Sequence, residues 1–213
     1  MAIINKTTKT LLLVSAVAVV LDFARLDLWG TSNLMYLIWN LFLAWIPYLI
    51  SLYFIKKDVS TSRFVVFFVF WILFFPNAPY LVTDVLHIVS SLPTLLWYDS
   101  LLLFFFGWIG LFLGMLSMFD IHQYLIAHLG RIFSEFIIFA ICFVSSFGVY
   151  LGRFERWNSW DIFVRPLYLI RDSFYISTGI AHNGTPLAFI FFFTVFMYCA
   201  YRMICVLVVN KQE

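Results

Sequence analysis

The chain is poor in charge. Only 11% of its 213 residues are Asp, Glu, Lys or Arg, and the formal net charge is +2. That excludes a nucleic-acid-binding surface, whose signature is a clustered basic patch. Cysteine is scarce too. Cys142, Cys199 and Cys205 each lie inside an apolar run without metal-ligand spacing, and an odd number excludes a framework of paired disulfides. They read as buried small hydrophobes. No HxxxH or HExxH spacing occurs, and no internal repeat is visible. The inverted-repeat signature of many transporters is therefore missing.

What the chain has in excess is apolar surface: 64% hydrophobic and 22% aromatic residues. No water-soluble domain of this length hides so much, because burial is limited by surface-to-volume scaling. Runs of about 20 apolar residues, enough to cross a hydrocarbon core of about 30 Å, recur instead. The expected fold is all-α, a single integral membrane domain over residues 1–213. It has six transmembrane helices near 10–29, 33–55, 63–89, 101–119, 132–151 and 186–209, and a long outer loop at 152–185. Lys6 and Lys9 ahead of Leu11–Leu21 imitate a signal peptide. Ala16-Val17-Ala18 comes too early in the apolar run for cleavage, so the segment is retained as the first helix. Asp22 and Arg25 form an i,i+3 pair at its end. Gly30-Thr31-Ser32-Asn33 is a turn that caps the second helix, and Pro47 bends that helix.

The third helix carries the most unusual stretch. Eleven apolar residues, Phe64 to Phe74, lead into Pro76-Asn77-Ala78-Pro79. Each proline lacks an N–H and crowds the preceding turn, so a kink or break is expected near Asn77. Freed backbone groups at membrane depth are tolerated only when buried in protein or lining a wet cavity. Asn77, Tyr80, Asp84 and His87 then recur at spacings of 3, 4 and 3, which places them on one helical face. In the fourth helix Gly107, Gly110, Gly114 and Ser117 follow the same spacing, a small-residue face that lets another helix approach closely. Asp120 to Arg131, with His122 and His128, reads as a polar amphipathic link. Glu135 follows Arg131 at i+4, an interfacial ion pair.

Lysine and arginine counts set the orientation. Lys6, Lys9, Lys56, Lys57, Arg63, Arg131 and Lys211, with Arg202, fall on one side, which is taken as cytoplasmic together with both termini. Arg25, Arg153, Arg156, Arg165 and Arg171 fall on the other. The broken helix, Trp97-Tyr98-Asp99 and the loop from Arg153 emerge on that outer side, where they are able to converge on one cavity.

Intramembrane ionisable groups are costly and tend to be functional. Asp84 and His87, one turn apart, suit a divalent metal or a carboxylate-oriented general base. Asp99 and Asp161 are further acid/base or metal candidates, with His182 an outlying one. A zinc site wants three or four ligands, so the metal signal is weak. Arg153 and Arg156 can clamp a phosphate or carboxylate, or neutralise Asp84, Asp99 or Asp161. Asn77, Tyr80 and Asn158 complete the substrate-binding candidates. Asn158 also has a structural role open to it, as an N-cap with Asp161 at N3. Asn40 and Asn77 suit hydrogen bonds between helices, and Trp97, Trp157 and Trp160 suit the interfacial aromatic belt.

These motifs resemble an uncharacterised bacterial membrane family, domain of unknown function 1361. The resemblance rests on Phe74-Phe75-Pro76-Asn77-Ala78-Pro79-Tyr80 with Thr83-Asp84 and His87, then Trp97-Tyr98-Asp99, then Gly152-Arg153 with Arg156-Trp157-Asn158-Ser159-Trp160-Asp161. Trp39-Asn40-Leu41 with Ala44-Trp45-Ile46-Pro47, and Ser145-Ser146-Phe147-Gly148 before Tyr150-Leu151, are similar to that family's pattern as well. It covers nearly the whole chain and implies a polytopic membrane protein, without supplying an activity. Three functions stay open. One is an outward-facing hydrolase or transferase acting on a lipid-linked or anionic substrate. The second is a small-molecule or ion binder or transporter. The third is a non-catalytic accessory subunit whose polar network is structural. Membrane lipids are the expected surroundings in each case.

Overall fold

A computed structural model describes residues 6–30, 34–55, 60–91, 93–157, 161–177 and 184–209. Among these the chain is helical, without a strand. The helices are α1 (Lys6–Trp29), α2 (Tyr36–Ile55), α3 (Thr61–Phe74), α4 (Asn77–Thr83), α5 (Leu96–Leu129), α6 (Arg131–Phe154), α7 (Asp161–Val164), α8 (Pro166–Ser177) and α9 (Thr185–Val209). Tighter 3-10 turns cover Asp84–Ser90 and Pro93–Leu95. Five stretches are long and apolar enough to cross a bilayer: Tyr36–Tyr53, Ser62–Val89, Pro93–Leu129, Arg131–Phe154 and Thr185–Val208. The 24-residue α1 falls outside that set, carrying Lys6, Lys9, Asp22, Arg25 and Asp27. The capping residues 31–33, the loop residues 56–58, Asn158, Ser159, Trp160, His182 and Lys211 lie outside the described residues.

α5 is the axis of the bundle. Its Leu102, Phe106 and Leu113 pack with residues of α1, α2 and α4, while its Met115, Met118 and Ile121 pack with residues of α3, α6 and α9. The sequence places a helix at 101–119 followed by a polar link to Arg131. The structure corrects this, because α5 runs 34 residues without interruption. No glycine or proline occurs between Gly114 and Gly130, so nothing local stops the helix. It ends at Gly130, whose φ of 79° only glycine adopts freely. The polar residues of the supposed link find partners on neighbouring helices. The Ser51 hydroxyl donates to Asp120 Oδ2 at 2.7 Å. Buried His122 lies with Nδ1 2.5 Å from the Tyr201 hydroxyl.

The small-residue face of α5 is filled by α4. A Cβ added to Gly110 would lie 2.5 Å from the Ala78 carbonyl oxygen, and one added to Gly114 would lie 3.1 Å from Ala78 Cβ. Lipid tails are as apolar as leucine, so helices in a bilayer associate by packing, and absent side chains are what permit this approach.

The Pro-Asn-Ala-Pro stretch interrupts hydrogen bonding while the backbone dihedrals stay helical. Phe75 (φ −55°, ψ −40°) and Pro76 (φ −57°, ψ −25°) both remain right-handed. The Phe75 carbonyl would ordinarily receive the N–H of residue 79, which proline lacks. Ala78 N–H shifts onto it at 3.1 Å. That shift leaves the Phe74 carbonyl without its usual donor, and Asn77 Nδ2 supplies one at 2.9 Å. The asparagine between the prolines thus repairs the gap they create.

One local charge pairing expected from spacing is replaced by a long-range one, and a second is joined by one. Glu135 bonds Arg202 of α9 at 2.8 Å, not Arg131. Arg25 of α1 forms a buried ion pair with Asp99 of α5, beside Asp22. Cys142 is buried as expected, whereas Cys199 is exposed on the apolar span of α9 and Cys205 is half-buried.

Candidate functional site

At Asp84 the helix tightens into 3-10 geometry, where residues three apart eclipse one another. Asp84 and His87 are therefore stacked on one edge, with Tyr80 and Thr83 a turn before them. Arg153, in the last turn of α6, reaches all four. Its Nε donates to Thr83 Oγ1 at 2.9 Å, and its Nη1 donates to His87 Nε2 at 2.7 Å. Its Nη2 donates to Asp84 Oδ1 and, more weakly, to the Tyr80 carbonyl at 3.5 Å. The guanidinium carbon also sits 4.0 Å from the centre of the Tyr80 ring, a cation–π contact. The other Asp84 oxygen accepts from Asn40 Nδ2 of α2 at 3.2 Å.

The charges of this network cancel. Asp84 is fully buried and the Arg153 side chain is 7% exposed, so the pair is shielded from water. Arginine only donates, which fixes His87 Nε2 as an acceptor and its ring as neutral, with the proton on Nδ1. Asp84 and His87, the candidate metal pair, thus direct their lone pairs at a cation supplied by the protein. Among the described residues, no group of three or more His, Cys, Asp or Glu side chains is gathered to hold a metal.

Beside this network lies a cavity of about 570 Å³. Asn40 of α2, Pro76, Asn77 and Tyr80, Gly148 and Gly152 of α6, and Arg156 and Trp157 after α6 all line it. Gly148 and Gly152 bring α6 against the proline turn: an added Cβ would lie 3.1 Å from Pro76 Cγ at Gly148 and 3.2 Å from Tyr80 Cε2 at Gly152. Beyond α6 the chain turns sharply, with Trp157 N–H donating to the Leu151 carbonyl at 3.1 Å. Arg156 sits in that turn with φ 60°, the single positive-φ residue other than glycine among those described. For an L-residue this conformation costs about 1–2 kcal/mol, and such strain concentrates at functional sites. Among the described residues Arg156 makes no hydrogen bond or ion pair, and its side chain is exposed at the cavity.

A second buried ion pair lies at the same end of the bundle. Arg25 Nε and Nη2 donate to the two Asp99 oxygens at 2.5 and 2.9 Å, with side chains 3% and 0% exposed. Tyr98 hydroxyl donates to the Leu21 carbonyl at 2.7 Å, so α1 is fastened to the start of α5. Asp22 is buried next to the pair, and its Oδ2 has no hydrogen-bond partner among the described residues. Two parallel bonds need the planar guanidinium fork, which lysine lacks. Arg25→Lys is therefore expected to lower stability by about 1–2 kcal/mol despite conserving charge, read as a reduced thermal midpoint in detergent.

A family model described as "Protein of unknown function (DUF1361)" matches residues 39–200. The chain belongs to this family. The matched DUF1361 region takes in the proline turn, the Asp84–Arg153 pair, the cavity and Arg156, while Arg25 precedes it. No curated protein and no solved structure matches the chain.

The candidates from the sequence are thus distributed over several settings. Asn77, Tyr80 and Arg156 line the cavity, while Asp84, His87 and Arg153 form the neutral network against it. Asp99 is engaged with Arg25, Asp161 opens the short α7, and Asn158 is outside the described residues. The sequence gives Asn40 only an interhelical role, and Gly148 and Gly152 enter there only as parts of the family motifs, without a packing role. Their i,i+4 spacing in α6 is a signal of the same kind as the glycine face of α5.

Proposed function

We propose that this DUF1361 protein binds an anionic ligand in the cavity bounded by the proline turn and the end of α6. The observation that carries the reading is Arg156: a cation without a partner among the described residues, on the wall of a cavity beside a network whose own charges cancel. Volumes of about 300–1,000 Å³ are usual for small-ligand sites. Binding is favoured over acid–base catalysis because a general base must come within hydrogen-bond reach of its substrate, whereas Asp84 is fully buried against Arg153 and His87 Nε2 is turned to the same guanidinium. Both Asp84 oxygens and His87 Nε2 accept hydrogen bonds from the protein itself.

In the same reading α1 is a sixth span and the third span is broken at the prolines. At about 1.5 Å per residue α1 is long enough, and Arg25 is neutralised by Asp99. The bias of Lys6, Lys9, Arg63 and Arg131 towards the opposite end supports cytoplasmic termini and a cavity facing outward.

The test uses glycerol 1-phosphate with the purified full chain. It is expected to raise the thermal midpoint of the wild-type protein, with the shift abolished in Arg156→Gln and retained in Arg156→Lys. An equal shift in the glutamine variant overturns the proposal.

A further inference from the structure

The cavity is polar at one end only. Asn77, Tyr80 and Arg156 lie from the proline turn towards the ends of the spans, whereas Leu43, Ile72, Leu73 and Val144 lie further into α2, α3 and α6. Val144 is ten residues from the last residue of α6, about 15 Å deeper along the helix axis. It is also 53% exposed, as is Trp39 on the α2 wall. Both belong to stretches apolar enough to span a bilayer, where an exposed side chain faces lipid. The walls of the cavity therefore continue into the lipid-facing surface between α2 and α6.

At the upper rim, Leu169 of α8 completes the lining. The rest of α8 presents Leu167, Tyr168, Ile170 and Phe174, each more than half exposed, alongside Arg171. A helix with so much exposed apolar surface and a few charges suits the plane of the membrane interface. That arrangement puts Arg156 near headgroup level and the apolar cleft below it.

We infer that the cleft opens sideways into the bilayer and that its ligand is a membrane lipid with an anionic head. The acyl chain lies along Leu73, Phe147 and Val144, and the headgroup phosphate meets Arg156. The inference rests on the anion-binding reading and adds to it the ligand class and the entry route. Two features of the cavity argue for a lipid over a soluble anion. Its charge is at the interfacial end, complementary to a headgroup, and its apolar part is continuous with the lipid-exposed surface.

The experiment compares phosphatidylglycerol with glycerol 1-phosphate on the detergent-solubilised full chain, using native mass spectrometry and thermal shift. Val144→Trp and, independently, Leu73→Trp fill the deep cleft without touching Arg156. Wild-type protein is expected to bind phosphatidylglycerol at least tenfold more tightly than glycerol 1-phosphate. Both tryptophan variants should lose that advantage while keeping the response to glycerol 1-phosphate. Unchanged lipid affinity in the two variants overturns the inference. So does loss of both ligands together, since head and chain would then not occupy separable parts of the cleft. Failure of the Arg156→Gln test with the chain effect intact removes the anion reading instead, so the two failures are distinct.

Discussion

Replacing Asp84 with alanine is expected to destabilise the protein by about 3–5 kcal/mol, the range for breaking a buried ion pair from one side. The large cost comes from what is left behind. Arg153 remains nearly out of water and continues to face Thr83, His87 and the Tyr80 ring, with no anion to balance it. For a chain of this size the change corresponds to a fall on the order of 10 °C in thermal midpoint. Replacing both partners tests the explanation. Asp84→Leu with Arg153→Met removes both charges and should recover most of the loss, because apolar residues often substitute for a buried pair without net cost. A double variant no more stable than Asp84→Ala would show that the attached hydrogen bonds, not the charge balance, hold this end of the bundle.

Gly110→Ala should be the most damaging of the conservative changes in α5. The added methyl would lie 2.5 Å from the Ala78 carbonyl oxygen and 2.6 Å from Leu81 Cδ1. A backbone oxygen cannot rotate away, so α4 must separate from α5, and overpacking of this kind costs typically about 1–3 kcal/mol. Gly114→Ala, with its nearest atom at 3.1 Å, should cost less. Gly130→Ala meets no atom within 4 Å, so its penalty arises only from the positive φ. Because Ala78 and Leu81 sit on the helix that begins at the proline turn, Gly110→Ala should also weaken glycerol 1-phosphate binding, whereas Gly130→Ala should not. Thermal midpoints with and without that ligand separate the two effects.

The membrane helices were legible because apolar runs and proline chemistry are local properties. The proline stretch was readable as a hydrogen-bond defect, and the glycine face of α5 as a close-packing surface. What the sequence did not disclose was partner choice. Spacing nominated Asp22 for Arg25 and Arg131 for Glu135, and left Arg153 open among three carboxylates. An exposed pair within one helix is worth only about 0.2–0.5 kcal/mol, far less than the cost of an unneutralised buried charge. Buried Arg25 and Arg153 are accordingly bonded across the bundle to carboxylates 74 and 69 residues away, and the partly exposed Glu135 also meets Arg202, 67 residues on. The end of α5 was misjudged for a related reason. Asp120 and His122 look like loop residues until Ser51 and Tyr201 are brought beside them.

These long-range pairs also order events in time. A ribosome adding roughly 5–20 residues per second reaches Arg153 some 3–14 s after Asp84. Through that interval the Ser62–Val89 stretch holds a carboxylate whose counterion has not yet been made. α1 likewise holds Arg25 before Asp99 exists, and α6 holds Glu135 before Arg202. Biogenesis of this protein is therefore a sequence of deferred neutralisations, in which earlier spans reach their final electrostatic state only when a later one arrives.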